Sequence, residues 1–174
     1  MDKIAVFGSA FNPPSLGHKS VIDSISHFDL ILLIPSIAHA WGKNMVDYSV
    51  RCSLVDAFIC DLNMSNVKRS DIEEHLVKPD LSVTTFDVLH ALSKQFPNSE
   101  LTFVLGPDNL FAFDKFYRSQ DIIKEFSILA CPERVAVRST DIRNNVLAKK
   151  SIHHLTTLSV IDQIRQFELY QQKE

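Results

Sequence analysis

The 174-residue chain lacks an excess of basic charge, a long apolar run and any close pair of cysteines. A formal net charge of −3 excludes a nucleic-acid binder that relies on bulk electrostatics. The longest apolar run, Leu30 to Ile34, is far too short to span a membrane, and the first residues lack the apolar region of a signal peptide. Cys52, Cys60 and Cys131 are odd in number and widely spaced, so neither a disulfide framework nor a zinc site is expected. His27, His39, His75, His90, His153 and His154 show no metal-ligand spacing either. Repeats, low-complexity tracts and linkers are missing as well, which leaves a single domain over 1–174 in a reducing, cytoplasmic setting as the expectation.

What is present is concentrated near the start. Ile4-Ala5-Val6-Phe7 reads as a fully buried parallel strand, and Val21, Ile22, Ile25 and Phe28 recur at helical spacing. The eleven residues between them, Gly8-Ser9-Ala10-Phe11-Asn12-Pro13-Pro14-Ser15-Leu16-Gly17-His18, form a strand-to-helix turn. Gly17 and His18 fall at the helix N-terminus, where unpaired amides and the helix dipole favour a phosphate. This is not a Walker loop, because the Gly-Lys-Ser/Thr ending is absent.

Further apolar runs at 29–35, 67–72, 101–105 and 126–130 read as strands. Helical patterns lie between them at 49–62 and 84–96, with short helices near 109–115 and 120–125. The tail is helical over 139–149 and 159–170. Alternating strands and helices give an α/β fold: a Rossmann-like, doubly wound parallel sheet with C-terminal helices. Ligands of such sheets sit beyond the carboxyl ends of the strands, where Gly8, Pro35 and Gly106 each open a loop.

Gly-x-x-Phe-Asn-Pro-x-Ser-x-Gly-His resembles the (His/Thr)-x-Gly-His signature of the nucleotidyltransferases that transfer adenylate from ATP, with Ser15 at its first position. Val137-Arg138-Ser139-Thr140-Asp141-Ile142-Arg143 resembles the same superfamily's late Ile-Ser-Ser/Thr-x-x-Arg motif. There Ser139 and Thr140 are expected to cap a helix and Arg143 to grip phosphate. Three further elements are similar to the nicotinate mononucleotide adenylyltransferase branch. One is Lys43 followed by Arg51, with Gly42 where the family has a His. Another is Thr85-Phe86-Asp87-Val88-Leu89. The third runs from Gly106-Pro107-Asp108 to Phe116-Tyr117-Arg118, with Phe116 in place of a Trp. Between Ala130 and Val137 the chain is shorter than the family's usual segment; either the loop is pared down or the late motif is positioned differently.

The resemblance implies adenylyl transfer from ATP to nicotinate mononucleotide, giving deamido-NAD and pyrophosphate, with Mg²⁺ accompanying ATP and no protein metal cage. His18, Ser15 and Arg143 are the expected catalytic residues. Gly8, Ser9, Phe11, Lys43, Arg51, Thr85, Gly106, Asp108, Phe116, Ser139 and Thr140 are the expected substrate contacts. The partners are ATP and a pyridine mononucleotide, without nucleic acid or membrane. Two other readings stand beside it: a pantetheine-phosphate adenylyltransferase, and a degenerate relative that binds nucleotide without turnover.

Overall fold

The strand residues alternate strictly between two apolar faces, and that alternation builds the molecule. In a computed structural model, described here for residues 1–38 and 45–172, Ala5, Phe7, Ile31 and Leu33 share one core, while Ile4, Val6, Leu32 and Ile34 share another. The central strands are therefore buried on both sides, as a parallel sheet covered by helices requires.

The strands are β1 (Lys3–Ser9), β2 (Leu30–Pro35), β3 (Val67–Arg69), β4 (Glu100–Leu105) and β5 (Ser127–Ala130). All pair in parallel in the order β3-β2-β1-β4-β5, so the chain reverses direction between β1 and β4. The helices are α1 (Leu16–Ser24), α2 (Tyr48–Leu62), α3 (Ile72–Leu76), α4 (Thr85–Gln95), α5 (Pro107–Phe111), α6 (Ser119–Glu125), α7 (Ser139–Leu147) and α8 (Leu158–Gln166). Residues of α1, α2, α7 and α8 pack on the Phe7 face, and residues of α4 and α6 on the Val6 face.

The expected doubly wound sheet is what forms. One local expectation fails: β3 ends at Arg69 rather than running to residue 72, and Ile72–Leu76 is a helical turn. Ser70 and Asp71 interrupt the strand, and the Ser70 hydroxyl accepts from the Ile72 amide, starting the turn. Among the described residues, no helix is long and apolar enough to cross a membrane.

Candidate active site

The carboxyl ends of β1 and β4 flank the point where strand order reverses, and the sequence motifs gather there. The first loop is clamped from the other half of the chain. Ser139 Oγ donates to the Pro13 carbonyl (2.6 Å), Arg143 Nη1 to Asn12 O (2.7 Å), Thr156 Oγ1 to Pro14 O (2.8 Å) and Tyr170 Oη to Asn12 Oδ1 (2.9 Å). The short link after β5 is thus long enough to bring α7 onto the loop. Gly17 makes the approach possible: a Cβ there would lie 2.1 Å from the Val137 carbonyl oxygen.

His18 sits at the centre of this arrangement. Its Nδ1 accepts the Ser15 backbone N–H at 3.0 Å, and an amide can only donate. The imidazole proton therefore resides on Nε2, which donates to Ser9 Oγ at 3.0 Å. Phe11 and Phe7 pack beside the ring at centroid distances of 4.8 and 6.1 Å, and desolvation pushes its pKa down to about 4. His18 is accordingly a neutral Nε2–H donor at physiological pH.

One expected catalytic residue, Ser15, and two expected contacts, Phe11 and Arg51, turn out to do other work. Ser15 is buried; its hydroxyl accepts from the His18 amide (3.3 Å) and donates to Val137 O (3.1 Å), so it caps α1 and ties the two motifs instead of facing the rim. Phe11 is fully buried with φ +47°, a left-handed conformation held by its packing; it shapes the wall behind His18 and offers no ring to a ligand. Arg51 is also buried, and its guanidinium donates to four carbonyls: Val46, Ala10, Ser36 and Ile37 at 2.7–3.1 Å. It is a brace under the rim. Glu73, buried nearby, accepts the Ile37 amide at 2.7 Å, and burial pushes its pKa up to about 7.

The α1 N-terminus is itself largely spent. Leu16 N donates to Leu155 O, and Ser15 satisfies the amides of His18 and Lys19. That leaves the α1 end with little to offer an anion. The α7 N-terminus differs: the amides of Ser139 and Thr140 have no protein acceptor among the described residues. Ser139 lies one place inside the helix, because Arg138 is the cap residue and its amide donates to Asp141 Oδ2 (2.8 Å). The Ser139 hydroxyl is committed to Pro13 and no longer free to cap. Arg143 Nη2 donates to Thr140 Oγ1 at 3.2 Å, which keeps the guanidinium beside those amides.

Gly8 lies at the end of β1 opposite Ile34, and Gly106 caps α5 in open space. Asp108, on α5, is ion-paired to Arg138, whose other nitrogen reaches Glu133 at 2.6 Å. That bridge joins the β4 and α7 sides of the site, and Arg138 has no place among the expected contacts. Thr85 is the first residue of α4; Thr84 carries the capping box with Asp87, so the Thr85 hydroxyl has no hydrogen bond among the described residues. Phe116 is half-buried, its ring 6.0 Å from Phe103 and 5.5 Å from Phe113. The Arg118 guanidinium lies 3.9 Å above the Phe86 ring, which draws the α4 start and the Phe116 segment together. Lys43 lies outside the described residues.

Comparison with known proteins agrees with this geometry. A Bacteroides thetaiotaomicron protein, provisionally assigned as a nicotinate-nucleotide adenylyltransferase, is 28% identical over 135 residues, which cover 75% of this chain and 64% of that protein. An Exiguobacterium sibiricum protein with the same provisional assignment is 26% identical over 191 aligned positions, covering 97% and 98%. The chain thus spans just under two thirds of the first relative and nearly all of the second. A crystal structure from Vibrio parahaemolyticus, again provisionally assigned to that activity, is 51% identical with a TM-score of 0.89, covering 99% of this chain and 98% of that one. The cytidylyltransferase-like profile matches residues 6–146 and takes in every motif clamped around His18; the chain belongs to the cytidylyltransferase-like family.

Proposed function

We propose that the protein is a nicotinate-nucleotide adenylyltransferase, joining the adenylyl group of ATP to nicotinate mononucleotide and releasing pyrophosphate. The observation that carries this reading is the loop before His18, clamped by Ser139 and Arg143 of α7, which joins a neutral imidazole protonated on Nε2 to a helix start with two open amides. The relatives' names point the same way.

The acceptor's 5′-phosphate is already an anionic nucleophile, so no base is needed to activate it. Its oxygen attacks the α-phosphorus of ATP, and the bond from that phosphorus to the bridging oxygen breaks, with pyrophosphate leaving. Rate enhancement then comes from alignment and from placing donors where charge grows on the transferring phosphoryl group. His18 supplies a hydrogen bond without a net charge, and Arg143 with the Ser139 and Thr140 amides holds the leaving phosphates. Among the described residues there is no cluster of three or more His, Cys, Asp or Glu that could hold a metal. Mg²⁺ would enter as the partner of ATP and would offset the charge of its phosphates. The pyridine ring is assigned to the Thr85, Phe116 and Arg118 side, and the reaction to the cytoplasm, where the three free thiols are at home.

The test is product analysis with ATP and Mg²⁺ and one acceptor at a time: nicotinate mononucleotide, nicotinamide mononucleotide or phosphopantetheine. Dinucleotide and pyrophosphate from the nicotinate compound are expected to dominate. Preference for phosphopantetheine would move the protein to the other branch, and no turnover with any acceptor would make it a nucleotide-binding relative.

A further inference from the structure

Three carboxylates converge on Arg138. It is the cap residue of α7, and its amide is fixed by Asp141 Oδ2 at 2.8 Å. Its guanidinium spans two further carboxylates from different segments. Nη1 donates to Asp108 Oδ2 on α5, and Nη2 donates to Glu133 Oε1 in the loop after β5 at 2.6 Å. Each of these two carboxylates meets the arginine through one oxygen, and its second oxygen has no hydrogen bond among the described residues. The side chains of Asp108, Arg138 and Glu133 are 71%, 48% and 39% exposed, so the network adds little to stability.

We propose that Arg138 is a positioning residue for ATP: with Glu133 as its counter-anchor, it holds the Asp108 carboxylate between α5 and α7, one oxygen on the guanidinium and the other left for the nucleotide. This deepens, and rests on, the adenylyltransferase reading. An exposed Asp samples several rotamers, and a single exposed ion pair is too weak to select one. A planar guanidinium held at both terminal nitrogens has a set orientation, and it passes that orientation to Asp108. The nucleotide concerned is ATP, because Arg138 directly precedes Ser139 and Thr140, whose open amides are assigned to its phosphates. An ionised carboxylate only accepts hydrogen bonds, so what Asp108 can meet on ATP is a hydroxyl or the amino group and never a phosphate oxygen.

Calorimetry with Mg–ATP, which needs no turnover, tests this as a double-mutant cycle. Arg138→Ala and Asp108→Ala should each weaken binding roughly tenfold, the loss of one hydrogen bond to a charged group. The double variant should bind no more weakly than Asp108→Ala alone, because Arg138 acts through that carboxylate. Arg138→Lys should regain only a small part of the loss, since an ammonium cannot reproduce the fork that spans two carboxylates. Glu133→Ala, which keeps Arg138, should weaken binding several-fold and supplies a second reading where Arg138→Ala does not fold. In turnover, KM for ATP should rise in step, while kcat and KM for nicotinate mononucleotide stay within about a factor of three. A merely structural role would instead lower Tm and disturb both substrates. Wild-type ATP affinity in either folded variant, Arg138→Ala or Glu133→Ala, would overturn the proposal and leave the adenylyltransferase reading intact. So would additive losses in the double variant, which would make Arg138 a ligand contact in its own right, or tighter binding without Arg138, which would make the bridge a bar across the site. Absence of turnover with every acceptor, with the binding cycle as expected, would retire the reaction and keep the positioning role.

Discussion

Gly17 lies against the Val137 carbonyl so closely that a Cβ would stand 2.1 Å from its oxygen. That contact fastens the first motif to the second, across 120 positions of sequence. Backbone on both sides leaves nothing flexible to yield, so Gly17→Ala must push α1 and the Val137 segment apart. A stability loss on the order of 2–4 kcal/mol is expected in chemical denaturation, with a matching fall in activity. A variant as stable as wild type would show that the two motifs are not packed this way.

Arg51 donates to four backbone carbonyls and is buried, so it holds the rim instead of touching a ligand. Arg51→Ala strands those carbonyls, and at about 1 kcal/mol or more apiece the loss reaches roughly 3 kcal/mol, a fall in Tm of about 10 °C. Arg51→Lys should do little better, because an ammonium cannot reproduce the planar fork. An unchanged Tm with a raised KM for ATP would return Arg51 to the ligand contacts.

Much of this was legible in the sequence. Buried strands such as Ile4–Phe7 and Leu101–Leu105 announce themselves by unbroken apolar runs, and the turn between β1 and α1 by its glycine, prolines and His18. Side-chain direction was not legible. Ser15, Phe11 and Arg51 stand in motif positions, yet burial turns each inward toward partners far along the chain. Arg51 meets carbonyls of loops after β1 and β2, and Asn12 meets Tyr170, 158 positions away. Local spacing carries no record of such contacts. Arg138 escaped notice for the same reason: its carboxylate partners come from separate segments, Asp108 from α5 and Glu133 from the loop after β5.

Two buried groups give stability opposite pH dependences. His18 has its pKa lowered from 6.5 to about 4, so its contribution is complete above pH 6.5 and is lost as pH falls toward 4. Glu73 has its pKa raised from 4.5 to about 7, so its contribution is complete below pH 4.5 and is lost as pH rises through 7. Glu73→Gln keeps an acceptor for the Ile37 amide and removes the titration. Its Tm relative to wild type should climb between pH 5 and 8, by roughly 5 °C. A difference constant across that range would contradict the placement of Glu73.

Phe116 packs on Phe103 and Phe113 with part of its ring exposed. If the exposed part stacks on the pyridine ring, Phe116→Ala should raise KM for nicotinate mononucleotide several-fold and leave KM for ATP within about a factor of three. Equal rises for both substrates would place the ring elsewhere.

The central claim is that the neutral imidazole of His18 stabilises charge on the transferring phosphoryl group. Steady-state kinetics of His18→Ala, with its fold checked by circular dichroism, tests it most directly. We expect kcat to fall by roughly a hundred- to a thousandfold, the loss associated with one preorganised donor. A folded variant that turns over ATP and nicotinate mononucleotide at close to the wild-type rate would contradict it.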